Sequence, residues 1–291
     1  MHIIFFKRLC ALKILNMDET LRKEKLYSRI LEVDLLRGIA LFFMIFDHIA
    51  YDLFMTLPMI FKGYNEPGTW TNSLSSFAFN YWNWNVRIVV RYFIVFIFLS
   101  LTGICCSFSH SNIKRGLKLF GLACIVSLVT FIMGLIISDI NVTILFGLLQ
   151  CVSLSLIMIG LLEKLTSNKW VYLAIGLVFM GIGIFMNIQY NYSFEYKDHN
   201  IFLLLLMQIV GIGNVGGDSF PLFLNGGQIF IGVFLGKLLY PTRKSIFNKS
   251  YSNNMVTFMG RHSLIIYIAH QVLIVLLLSI VLLICGYKLA L

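Results

Sequence analysis

Apolar stretches of about twenty residues recur along the whole chain, at 35–57, 87–108, 117–137, 142–162, 170–188, 221–240 and 263–285. A run of that length, wound as a helix at about 1.5 Å per residue, spans the roughly 30 Å hydrocarbon core of a bilayer. Pro58, Pro221 and Pro241 fall at the edges of these runs, where a helix-stopping residue belongs. A further apolar piece, "IFLLLLMQIVGI" at 201–212, is too short to span and reads as re-entrant or interfacial, ahead of the Gly-rich "GIGNVGGDSF". The pattern predicts an all-α fold, a polytopic transmembrane helical bundle of about seven spans plus that short segment. Residues 1–28 form a cytoplasmic N-terminal segment and 29–291 the transmembrane domain. Within the bundle "GVFLG", Gly232 to Gly236, reads as a small-residue seam for close helix packing.

Charge orients the bundle. Residues 1–34 hold seven Lys/Arg, and 109–118, 163–169 and 241–262 are also basic, while 58–86, 138–141 and 189–220 hold only Lys62 and Lys197 against several acids. By the positive-inside bias the N-terminus is cytoplasmic and the C-terminus extracytoplasmic, provided 201–212 does not cross. The stretch "HIIFFKRLCALKILN" before Met17 reads either as an interfacial helix or as lying ahead of a start at Met17.

Composition agrees with the pattern: 59% of the 291 residues are hydrophobic and only 12% charged, half the charged share of soluble domains. The net charge of +10 is scattered through short loops rather than gathered on a folded surface, so no nucleic-acid partner is implied. The six cysteines (Cys10, Cys105, Cys106, Cys124, Cys151, Cys285) have neither a disulfide framework nor a zinc spacing and read as small packing residues, with no metal implied.

The first run breaks its own pattern. "DLLRGIALFFMIFDHIAYDL", 34–53, carries Arg37, Asp47, His48 and Asp52, although a carboxylate near mid-bilayer costs about 2.5–3.5 kcal/mol on insertion scales. Arg37 and His48 are eleven apart, which in a helix is three turns plus about 20°, so they share a face about 16 Å apart along the axis. A permanent cation at the membrane edge with a titratable imidazole deep on the same face suits a ligand with an anionic head and a reactive tail. Acyl-CoA is such a ligand, its phosphates at Arg37 and its thioester at His48.

These residues also carry a resemblance. "RILEVDLLRGIA" (29–40) followed by "MIFDH" (44–48) resembles the opening of bacterial proteins related to the catalytic domain of heparan-α-glucosaminide N-acetyltransferase. The Arg37–His48 spacing is similar to the arginine–histidine motif of the wider transmembrane acyltransferases. "FIFLSLTGI" (96–104), "ILFGLLQ" (144–150), "DSFPLF" (218–223) and "GRHSLIIYIAHQ" (260–271) resemble the family's later landmarks in order. The pattern departs at Gln150, where many bacterial relatives have His. The resemblance implies transfer of acetyl from cytoplasmic acetyl-CoA to a sugar or glycan across the membrane.

The remaining polar groups sort around that expectation. Intramembrane ionisable groups are functional by default, so His48 is the candidate catalytic residue, as general base or transient acyl carrier. Asp47 either orients it or pairs with another helix. Asp52, one turn on, could hydrogen-bond the imidazole. Arg261 and His262 lie at the cytoplasmic edge, Ser263 fits an N-cap, and Ser263, Tyr267 and His270 stack on one face, so this helix start could complete a CoA site with Arg37. Arg87 and Arg91 share a face, for which a structural ion pair is the first account and acceptor contact the second. Gln150 and Gln228 read as amides bonding across helices. Asp218 either binds acceptor or caps the helix after it. Arg87, Arg91, Gln150 and Asp218 make the candidate acceptor set, and a homodimer is compatible with the pattern. The rival reading is a proton-coupled secondary transporter, against which no paired inverted repeat is visible.

Overall fold

The computed structural model describes residues 29–137, 143–190, 200–212, 218–247 and 253–290. The N-terminal segment 1–28, the short loop 138–141, most of the Gly-rich stretch after 212, and Lys197, His199 and Lys249 therefore lie outside the described residues.

Among the described residues the regular structure is helical apart from two short strands. Its helices are α1 (Leu31–Tyr51), α2 (Leu57–Ile60), α3 (Trp70–Trp82), α4 (Asn85–Cys106), α5 (Asn112–Ile137), α6 (Leu148–Leu165), α7 (Lys169–Gln189), α8 (Ile201–Val210), α9 (Gly227–Leu239), α10 (Met255–Arg261) and α11 (Ser263–Ile284). A π-helical turn, Asp52–Thr56, carries α1 into α2, and a second, Leu222–Gly226, leads into α9. Six helical segments among the described residues are long and apolar enough to cross a membrane: α4, α5, α6, α7, the stretch Leu222–Leu239 and α11. The long helix α1 stands outside that set because Asp34, Arg37 and Asp47 interrupt its apolar run.

Several boundaries depart from the hydrophobic windows. The run predicted from 142 begins its helix only at Leu148, because the Gln150 side chain accepts from the Gly147 amide and caps the start there. Phe146, just before it, forms a parallel bridge with Ser219 instead. Two helices sit in segments that read as loops. α3, which begins at an N-cap where Thr69 accepts from the Asn72 amide, is too rich in Ser and Asn to show as an apolar run. α10, seven residues, is about two turns long and capped by Asn254 with Thr257. The piece 201–212 is a ten-residue helix ended by Gly211 at φ 95°, about 15 Å long by helical rise.

The chain folds as two compact units, residues 1–91 with 242–291, and residues 92–241, the boundary falling within α4. In the second unit α5 packs on α6 and α7 on α9. The small-residue seam is there as expected, Gly232 lying on the Ser100 backbone and Gly236 on that of Ile104.

In the first unit α10 and α11 lie along α1. A Cβ at Gly38 would run into the Val256 carbonyl oxygen, and one at Gly260 into the Asp34 carbonyl oxygen, so only glycine lets these backbones meet. At that end Glu32 is buried and accepts from the Ser245 hydroxyl at 2.7 Å and the Ile246 amide at 2.8 Å, while Arg29 pairs with Asp34 at 2.8 Å. At the opposite end strand β1 (Phe61–Lys62) pairs antiparallel with β2 (Lys288–Leu289), over a core of Leu57, Phe61, Tyr64 and Leu282. Both ends are thus tied, which aligns α1 and α11 in the same direction.

The glycine contact yields the first prediction. Gly260→Leu, placing a side chain against α1 backbone, should lower stability by about 1–3 kcal/mol or more. Gly121→Leu, at a glycine with nothing within 4 Å, should leave it nearly unchanged. Thermal unfolding in detergent measures both, and equal melting temperatures for the two would remove the packing argument.

Candidate active site

The uninterrupted helix α1 carries Arg37, Asp47 and His48, and the π-turn after it carries Asp52. The partner helix α11 supplies Tyr267, His270 and Gln271. Two imidazoles meet between them: the rings of His48 and His270 lie 4.7 Å apart, tilted by 52°. The Nδ1 of His270 is 2.6 Å from the Tyr267 carbonyl oxygen. A carbonyl only accepts, so Nδ1 carries the proton and Nε2 presents its lone pair. That Nε2 is buried with no partner among the described residues. His48 is half-buried and makes no hydrogen bond among the described residues, which leaves it available to a bound group.

Asp52 has zero exposure. The expected bond from Asp52 to the His48 ring is not the one formed. Its carboxylate accepts from the Thr56 hydroxyl at 2.7 Å and from Gln271 Nε2 at 2.9 and 3.1 Å. The π-turn widens the helix after Tyr51, and Gln271 on α11 takes up the carboxylate. Gln271 carried no assignment in the sequence analysis, although it stands next to His270 in the closing motif.

Asp47 turns away from the imidazole pair and binds another helix. It accepts from Arg87 Nη2 at 2.8 Å and Nε at 3.2 Å, and from the Tyr81 hydroxyl at 2.7 Å. The Arg87 guanidinium also stacks 3.6 Å above the Trp82 ring, and Arg87 is buried. The ion-pair account therefore holds for Arg87. It does not hold for Arg91, which is exposed and makes neither hydrogen bond nor ion pair among the described residues.

At the other end of α1, Arg37 makes no hydrogen bond or ion pair among the described residues, and its Nε is buried. A buried guanidinium N–H without an acceptor is costly and suits an anionic ligand. Arg261, at the end of α10, donates to Asn253 at 2.6 Å and lies over the Phe258 ring. His262 Nδ1 donates to the Phe258 carbonyl oxygen at 3.0 Å. Ser263 is not the cap: His262 occupies that position with no side-chain bond, and Ser263 is the first helical residue, because α10 runs almost directly into α11.

The model of the family described as heparan-alpha-glucosaminide N-acetyltransferase, catalytic, matches residues 29–272. The chain belongs to that family. Membership makes it a membrane-embedded acetyltransferase, and the matched region holds both imidazoles, Asp52 and Arg37. Comparison with curated proteins gave no match, and comparison with solved structures gave none.

Two expected acceptor residues of this acetyltransferase belong to the second unit. Gln150 is the cross-helix amide expected, donating to Ser127 Oγ at 2.6 Å and to the Ala123 carbonyl oxygen at 3.3 Å. Asp218 accepts from the Leu148 amide at 3.4 Å, at the start of α6. Gln228 is buried on α9.

Arg87→Leu should strand the Asp47 carboxylate with Tyr81 alone and cost roughly 1–3 kcal/mol. Adding Asp47→Asn should recover part of that loss. Denaturation of the single and double variants in detergent reads the coupling, and strictly additive effects would mean the pair does not hold α4 to α1.

Proposed function

We propose that the protein transfers acetyl from cytoplasmic acetyl-CoA to a hydroxyl or amine of an extracytoplasmic glycan. The observation that carries this reading is the facing pair of imidazoles, His48 and His270, on two apolar helices of one unit. His48 is the general base. It takes the proton from the acceptor O–H or N–H as that atom attacks the thioester carbonyl. The C–S bond then breaks, and CoA leaves as a thiolate that is reprotonated. His270, its tautomer set by the Tyr267 carbonyl, is the neighbour able to receive that proton in turn. Asp52 acts through Gln271, and Asp47 through Arg87, as positioning residues for the helices that carry the imidazoles.

Arg37 takes the CoA phosphates, with Arg261, His262 and the start of α11 beside them, and Tyr267 and His270 line the way to the thioester. The chemistry of an unpaired guanidinium supports this. So does charge: the end of α1 bearing Arg37 is tied to residues 242–262, one of the basic segments expected in the cytoplasm. The end bearing β1 and β2 is then extracytoplasmic, together with the C-terminus. The membrane supplies the setting; of the expected acceptor residues Arg91 is the one in the first unit left without a bond among the described residues, Arg87 being held by Asp47 and Gln150 and Asp218 lying in the second unit.

His48→Ala should lower acetyl transfer by about 10²–10⁴-fold, the range of general-base catalysis, while the protein still inserts. Arg37→Ala should weaken acetyl-CoA binding and flatten its salt dependence, since phosphate contacts near the interface are partly screened. Near wild-type turnover without His48 would end the catalytic assignment, and unchanged CoA affinity without Arg37 would move the head group elsewhere. Orientation is read separately: cysteine at Ser73 should react with an impermeant reagent added outside, and cysteine at Ser111 should not.

A further inference from the structure

α3 bears a polar stripe that the chemistry above does not use. Asn72, Ser75, Ser76, Phe79 and Asn80 recur at three- and four-residue steps, which puts them on one face of the helix. With Phe54 of the π-turn and Asn65 they line a cleft of about 420 Å³ within the first unit. The volume lies inside the usual range for small-ligand sites, roughly 300–1,000 Å³.

Three features of this cleft point to one ligand class. Its five polar side chains are three amides and two hydroxyls, and among the described residues none of them makes a hydrogen bond within the protein. The rings of Phe54 and Phe79, 5.8 Å apart and edge to face, supply apolar faces beside them. Among the described residues no charged side chain lines the cleft. Amides and hydroxyls both donate and accept, matching a ligand whose own groups are hydroxyls, and aromatic faces take C–H surface. A sulfated or carboxylated sugar would call for arginine or lysine.

We propose that this cleft binds a neutral saccharide and is the acceptor subsite of the transferase. The assignment rests on the acetyl-transfer reading above. Phe54 follows His48 by six residues along one helical run, a rise of about 9 Å, and on the side of His48 away from Arg37. The donor and acceptor thus reach the imidazoles from opposite ends of α1. A family named for a sulfated polymer gives this member an acceptor without anionic groups.

The test uses the full-length protein in detergent, with binding measured by calorimetry. The probes are chitotetraose, which is neutral, and a heparin tetrasaccharide, which is sulfated. Chitotetraose should bind wild type more tightly than the heparin fragment does. Asn72→Leu with Asn80→Leu removes two amide partners and should weaken chitotetraose by about tenfold. Ser76→Trp, at an exposed position, should block the cleft without touching the core. Both variants should still bind acetyl-CoA as wild type does. Tighter binding of the sulfated fragment, absence of chitotetraose binding to wild type, or undiminished binding in both variants overturns the proposal. Saccharide binding lost in the variants, in a protein that neither binds nor consumes acetyl-CoA, would keep the saccharide site and sink the transferase reading instead.

Discussion

An ionisable side chain in an apolar helix must be met by a partner, because the bilayer interior offers no water to do so. The first unit is organised around that constraint. α1 and the π-turn after it carry four acids, and three of them are met by residues distant in sequence. Glu32 is held by Ser245 and the Ile246 amide, Asp47 by Arg87 and Tyr81, and Asp52 by Thr56 and Gln271. Each of these contacts also fixes one element against α1.

What the matching leaves over is as informative as what it covers. Among the described residues Arg37 has no partner, His270 keeps a bare Nε2, and His48 makes no hydrogen bond. Groups of this cost are retained without partners where a ligand completes them. The leftover cation sits near one end of α1 and the leftover imidazoles lie well along it, which is the separation a long ligand with a charged head requires. The carboxylates, by contrast, are occupied in holding the scaffold, so their part in the proposed chemistry is indirect.

The glycine contacts set how closely this scaffold is drawn together. Gly38 and Gly260 bring α10 onto the backbone of α1, which allows α11, starting one residue later, to run beside α1. The β1–β2 pairing closes the other end. Between two fixed ends the rotation of each helix is set, and with it the approach of His48 to His270. A larger residue at either glycine would act on the imidazole pair from a distance of several turns.

The fold class was legible in the sequence because hydrophobic length is a local property. A run of twenty apolar residues has few fates, and the recurrence of such runs, with prolines at their edges, was enough for a helical membrane bundle. The Arg37–His48 relation was legible for a similar reason, since helical geometry converts a spacing of eleven into a shared face. Helix α3 was not, because its stripe is polar and its apolar residues follow no simple period. Nor could the sequence choose partners. Asp47 adjoins His48 and Asp52 stands one turn on, and only the fold assigned one to Arg87 and Tyr81 and the other to Gln271 and Thr56. Asp218 was expected to bind acceptor or to cap the helix after it, and the fold places it on the Leu148 amide at the start of α6. Pairing across helices depends on which faces meet and at what height, and those are decided by contacts between residues 40 to 219 positions apart. Length and periodicity determined the helices of this protein; the close approach of their backbones decided which polar groups are spent on structure and which remain for a ligand.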